Sequence, residues 1–164
     1  TLYGGRLPHL NGSRPMRRSE DPQFFNLLVD SHRRLIGVEP PFLVPGADAR
    51  WLYAETPACV LAHSTDPDPR FIYANKTAQK LFEYGWGEFI TLPSRLSAEA
   101  PEREERQRLL DAVDREGFAA GHSGIRIAKS GRRFWIEGYT LWQLRAEDAT
   151  LHGVAAWFSR WRDA

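Results

Sequence analysis

The chain has one cysteine, Cys59, and one methionine, Met16, among its 164 residues. A single cysteine excludes an internal disulfide framework and a cysteine-cluster zinc site. No run approaches the ~20 consecutive apolar residues that span a bilayer. The start also lacks the apolar stretch of a secretory signal. A cytoplasmic protein with no membrane partner is therefore expected. A dominant charge is missing too. Twenty-two basic residues stand against 21 acidic ones, for a net charge of +1 that provides no global field for nucleic acid. Lysine is scarce, with 19 of the 22 basic residues being arginine. There is no Ser-His-Asp order, no phosphate-binding glycine loop and no paired-carboxylate motif, so nothing raises catalysis above background.

What the chain does have is 42% hydrophobic residues and six tryptophans within one domain's length. Residues 1–20 set Arg6, Arg14, Arg17 and Arg18 against Glu20, among glycines and prolines. They are expected to be a flexible basic tail or an upstream extension, with a nucleic-acid-binding arm as the alternative. Residues 21–164 are expected to form a single domain.

The first helix begins where Asp21 can cap and Pro22 fits the first position, and it ends at Gly37. Its apolar face is wide enough to pack on something. Trp51-Leu52-Tyr53 is an apolar island after a proline-rich loop. Residues 58–63 and 71–73 read as a hairpin around the Asp66-Pro67-Asp68-Pro69 turn. Asn75 caps a short helix that Gly85 and Gly87 are expected to stop. Pro101 to Glu116 reads as a helix with a narrow apolar side (Leu109, Leu110, Val113), and its charge cluster, including Glu102 and Arg106, reads as a solvated face. Three strands follow, at 123–127, 134–144 and 151–158. Strict alternation places Phe134, Ile136, Trp142 and Leu144 on one face of the long strand and Trp135, Tyr139 and Leu141 on the other. Two apolar faces suggest that one meets the first helix or a partner.

Phe71-Ile-Tyr-Ala-Asn-Lys-Thr-Ala-Gln-Lys-Leu-Phe-Glu-Tyr-Gly-Trp-Gly-Glu-Phe-Ile90 resembles the signature of PAS domains. Leu61-Ala-His-Ser64, Leu92-Pro-Ser-Arg-Leu-Ser-Ala-Glu99, Ser123-Gly-Ile-Arg-Ile127, Gly131-Arg-Arg-Phe134 and His152-Gly-Val-Ala-Ala156 resemble the MEKHLA family in particular, of the stand-alone bacterial type. The resemblance spans roughly residues 22–160. It implies an α+β fold with a five-stranded antiparallel sheet in the order B-A-I-H-G, short helices on one face and an N-terminal amphipathic helix. It also implies a sensory or regulatory module that binds a small molecule or forms a homodimer.

That sheet order brings the end of strand A, at His63, beside the start of the last strand, at His152, with neighbouring strands ~4.8 Å apart. His63 and His152, with Asp66 and Asp68 nearby, are candidate acid/base or metal-ligating residues, and an enzyme or metal-binding protein using this cavity is the alternative function. The ligand candidates are Tyr84, Trp86, Arg126, Trp135, Tyr139 and Trp142: a fork donor able to grip a carboxylate, and aromatics able to stack on a flat ligand. Arg126 could instead pair with Glu137 across the strands. Cys59 sits in an apolar strand and reads as a core residue. Nothing matches the Asn-Cys-Arg context of light-sensing PAS proteins, so a flavin–cysteine photoadduct is not expected. The cofactor, if any, is unidentified, and haem stays open.

Overall fold

The computed structural model describes residues 18–164. Of the expected basic tail, residues 1–17 lie outside the described residues, and the remainder forms a 3-10 turn at Arg18–Glu20. Helix α1 (Pro22–Ile36) has the predicted ends. Asp21 Oδ1 accepts from Gln23 N at 2.9 Å, and Gly37, at φ +95°, donates to the Arg33 carbonyl at 2.9 Å. The Trp51 island is a helix, α2 (Ala49–Ala54), capped by Asp48. Strands β1 (Cys59–His63) and β2 (Phe71–Ala74) form the hairpin. Helix α3 (Lys76–Phe82) ends one turn earlier than the glycines suggested, because Glu83 takes the left-handed cap at φ +67°. Gly85 instead opens a further short helix, α4 (Trp86–Phe89), and Gly87 lies inside it. A 3-10 turn (Ser94–Ser97), helix α5 (Ala100–Glu116) and strands β3 (Phe118–Ile127), β4 (Arg133–Arg145), β5 (Leu151–Phe158) and β6 (Arg160–Asp163) complete the chain.

The antiparallel sheet has the order β2-β1-β5-β4-β3, the expected B-A-I-H-G. It has six strands rather than five. β5 and β6 lie end to end along β4, β5 against Thr140–Arg145 and β6 against Phe134–Glu137.

Both faces of the sheet are covered. One carries α3, α4 and α5 over Leu61, Phe134, Ile136, Tyr139, Leu141 and Phe158. The other carries α1 and α2 over Val60, Ala62, Tyr73, Trp142, Leu144 and Ala155. The expected split of β4 is therefore corrected: Phe134 and Ile136 share a face with Tyr139 and Leu141, and Trp142 and Leu144 take the other. The cause is a bulge. His122 pairs with Tyr139 and Gly124 with Ile136, so β4 contains one extra residue in between, and Gly138, at φ +62°, occupies it. A one-residue insertion exchanges the faces of everything after it.

Polar contacts fix α1 on the sheet. Ser31 Oγ donates to the Arg145 carbonyl and accepts from Arg145 N, both at 2.9 Å. Trp142 Nε1 donates to the Leu28 carbonyl at 3.1 Å. The apolar face of α1 and the second apolar face of β4 thus satisfy one another.

Asn75 locks the hairpin. Its Oδ1 accepts from Ala78 N and Val60 N, each at 3.1 Å, and its Nδ2 donates to Leu52 O at 3.1 Å and Ala58 O at 2.9 Å. No helix among the described residues is long and apolar enough to cross a membrane.

Candidate functional site

Between the sheet and α3/α5 lies a cavity of about 60 Å³, walled by Leu61, Phe71, Phe82, Ile136, Leu141 and Phe158, with Arg126, Tyr139, Arg106 and His63 among its polar lining. It adjoins an outer cleft of about 440 Å³ built from the 63–69 turn, Ser94, Arg95, the outer side of α5 and the start of β5. His63, Arg106, Leu110 and Val154 line both, so they form the boundary between an apolar interior and a polar exterior.

The charges arise from three elements. Arg126, on β3, is only 6% exposed. Its Nη1 meets Glu105 Oε1 at 3.2 Å, and its Nη2 donates to Tyr139 Oη at 3.0 Å. Tyr139 Oη in turn donates to Glu105 Oε2 at 2.7 Å, which closes a three-membered network. Gly124 makes room for it: a Cβ there would stand 2.9 Å from Glu105 Oε1 and 3.0 Å from Arg126 Nη1. Burial pushes the Tyr139 hydroxyl up, so it stays protonated and can donate.

Arg106, on α5, donates to Ser94 Oγ at 2.7 Å. Among the described residues it has no carboxylate within ion-pair distance. Burial, then the neighbouring Arg126 charge, lowers its guanidinium to about 10, so it remains a cation at neutral pH. Of the two arginines, only Arg126 is thus paired with Glu105.

His63 ends β1 and is 8% exposed. Its Nδ1 lies 2.9 Å from the Ser64 carbonyl, which can only accept, so Nδ1 carries the proton in the neutral ring. Nε2 is then a bare acceptor, buried and without a partner among the described residues. Burial, with the Arg106 charge adding to it, lowers His63 to about 4.

Of the residues singled out in the sequence, Arg126, Tyr139 and His63 line the inner cavity, and Asp66 and Asp68 line the outer cleft with His63. Arg126 takes Glu105 as its partner, while Glu137 pairs with Arg162 at 3.1 Å. His152 does not join His63. His63 pairs with Val154, and His152 lies exposed at the start of β5. Among the described residues no three His, Cys, Asp or Glu side chains are arranged to hold a metal ion.

Trp142 lies under α1, edge-on to His32 at 4.9 Å, because the bulge turned it away from the cavity. Trp135 stacks with Arg162 at 5.7 Å. Tyr84 packs on Phe89 at 5.4 Å, and Trp86 on Tyr53 and Tyr73 at 5.7 and 5.9 Å. None of these four lines the cavity. Cys59 is fully buried, and burial pushes its thiol well above the ordinary range.

The reading of α5 as a solvated charged face missed Glu105 and Arg106. The signal was present. The apolar stripe Leu109–Val113, extended back by three or four residues, reaches these two positions, so their charges point inward.

The family model of the MEKHLA domain matches residues 22–163. No curated protein matches the chain. Solved PAS-type structures do. A PAS domain from Colwellia psychrerythraea is 19% identical, with a TM-score of 0.56, and covers 66% of this chain and 87% of its own. A light-oxygen-voltage domain studied with a flavin analogue is 14% identical at a TM-score of 0.53, covering 65% and 76% respectively. An RNA-binding light-oxygen-voltage receptor is 19% identical at 0.57, covering 77% of this chain and 35% of that one. At such identities the likeness shows a shared fold.

Proposed function

The chain belongs to the MEKHLA domain family, and on that premise we propose that it is a regulatory module of PAS type that binds a small organic molecule in the cavity between the sheet and α5. The observation that carries this reading is His63, a residue of the cavity wall whose buried Nε2, an acceptor, has no partner among the described residues. Buried polar atoms are almost always satisfied, so a partner from outside the chain, a water or a small molecule, is expected at this one. The reducing environment of the cytoplasm suits the free, buried Cys59.

The inner cavity taken alone favours a ligand smaller than a flavin or a haem. Sites for drug-sized molecules run to roughly 300–1,000 Å³, against about 60 Å³ here. Cys59 is not among the lining residues either, so a thiol adduct has no donor. The ligand is accordingly small.

A homodimer would have to use surface other than the apolar faces of α1 and β4, which cover each other; light scattering reports the mass. The ligand reading is tested by screening a library of small metabolites against the isotope-labelled full chain by NMR. Compounds that move the amide signals of Val154, Arg126 and Leu141 together support it. A screen at millimolar concentration that moves none of them overturns it.

A further inference from the structure

We propose that the cavity takes a free α-amino acid with a short apolar side chain. Its carboxylate would lie on Arg106, its ammonium on His63 Nε2 and toward the carboxylates of the outer cleft, and its side chain in the inner cavity. This deepens the small-molecule reading above and rests on it.

Three observations, each on a different group, converge on this chemistry. The first is the unmatched cation. Arg126 is neutralised by Glu105, but Arg106 has only the Ser94 hydroxyl. A planar guanidinium facing a cavity is suited to a bidentate carboxylate, and one excess charge calls for one anionic group rather than a dianion.

The second is the direction of the hydrogen bond that His63 lacks. With Nδ1 committed to the Ser64 carbonyl, Nε2 can only accept. A simple fatty acid, presenting oxygen lone pairs there, would leave it unsatisfied. The partner must bring an N–H or O–H.

The third is the sign of the outer cleft. Asp66, Asp111 and Asp114 line it, and none has a cation within ion-pair distance among the described residues. Asp66 is held only by Ser64 Oγ at 2.8 Å and Asp111 only by Gln107 at 3.0 Å, while Asp68 is paired with Arg95 at 3.1 Å. This acidic rim repels a plain anion and favours a donor that is also positive. An ammonium beside a carboxylate satisfies Arg106, His63 and the rim at once. The size follows from the inner cavity: about 60 Å³ holds the equivalent of roughly four to six waters, enough for a side chain of a few carbons.

The test is calorimetry and thermal melting of the full chain with L-alanine, L-2-aminobutyrate and L-valine, each set against analogues lacking one group; for valine these are isovalerate without the ammonium, isobutylamine without the carboxylate, and 2-hydroxyisovalerate with a hydroxyl for the ammonium. At least one amino acid is expected to bind, and its one-group analogues to bind at least tenfold more weakly. Arg106→Gln should remove binding, and Arg106→Lys should keep part of it. If the Arg106 variants do not fold, Asp111→Asn, at an exposed position, keeps the question open to measurement and should weaken amino-acid binding severalfold while leaving the analogue without the ammonium unaffected or improved. Equal binding of the analogue without the ammonium or of the analogue without the carboxylate overturns the assignment. So does a screen in which other small molecules move the cavity signals and amino acids do not, and that outcome leaves the small-molecule reading standing. If no compound moves those signals, both readings fall.

Discussion

A Cβ at Gly153 would stand 2.5 Å from the carbonyl oxygen of His63. β5 therefore approaches the end of β1 more closely than any other residue would permit, and this approach holds His63 at the boundary between cavity and cleft. The neighbour in the way is backbone, which cannot swing aside. Gly153→Ala should cost about 1–3 kcal/mol, the range for overpacking a buried site. It should also displace the His63 and Val154 amide signals before those of β3. Chemical denaturation and amide spectra measure the two effects, and an unchanged midpoint would show that the strands separate at no cost.

Asn75 uses all of its hydrogen-bonding capacity on backbone from three places: β1, the end of α2 and the first turn of α3. Asn75→Ala leaves several buried backbone groups without partners, at about 1–3 kcal/mol for such a group. A loss of about 3 kcal/mol or more is expected, with Asn75→Asp costly as well because it has no amide to donate. A loss below about 1 kcal/mol would mean that water replaces the side chain.

His63 imposes a pH dependence on stability. Its folded-state value of about 4 lies below the ordinary 6.5, so between these values the unfolded chain binds the extra proton. Stability then falls as pH drops from about 6.5 toward 4, by up to about 3 kcal/mol from this group, and is unaffected by it above neutrality. His32 is shifted in the same direction by burial and adds to the slope. Arg106, which lines the same wall, stays charged throughout this range, and Asp66 and Asp68 face the cleft beside His63. The control is His63→Phe, which should flatten the slope between pH 4 and 6.5. A slope of the same steepness in that variant would assign the effect to other groups.

The Cys59 thiol, fully buried and shifted upward, should resist a thiol reagent at pH 8 in the native chain and react fully once the chain is unfolded in denaturant. Stoichiometric labelling of the folded protein within seconds would show that β1 is open to solvent.

The caps and the strand periods were readable residue by residue. Asp21, Pro22 and Gly37 bracket α1, and β4 and β5 fall within a residue of their expected places because each signal is local, while β3 starts five residues earlier than expected and β6 was not foreseen. The face assignment of β4 was not readable. A bulge at Gly138 depends on how β3 pairs with β4, and alternation along a single strand contains no trace of it. The candidate site divides in the same way. Arg126 stands in a strict alternation with Ile125 and Ile127, which sets it on the opposite face from them but does not say which face turns inward. Arg106 sits among nine other charged residues on α5, and local charge pairs look alike whether a side chain faces water or a cavity. Only the stripe it shares with Leu109 and Val113 separates the two. The orphan Nε2 of His63 is a tertiary fact, set by the Ser64 carbonyl and by what α5 fails to bring near.

The six residues Tyr139–Leu144 are all buried, alternately beneath α5 and beneath α1. In most antiparallel strands a slip by one residue would drive polar side chains inward, and that penalty enforces the pairing. Here a slipped strand would still bury apolar groups on both sides, so hydrophobicity says almost nothing about alignment. Alignment must come from shape and from single polar contacts: the Trp142–Leu28 hydrogen bond, the two-way Ser31–Arg145 pair and the close pass of Gly153. This part of the sheet is thus specified by α1, an element more than a hundred residues earlier in the chain, and misalignment, rather than loss of burial, is the failure to which it is open.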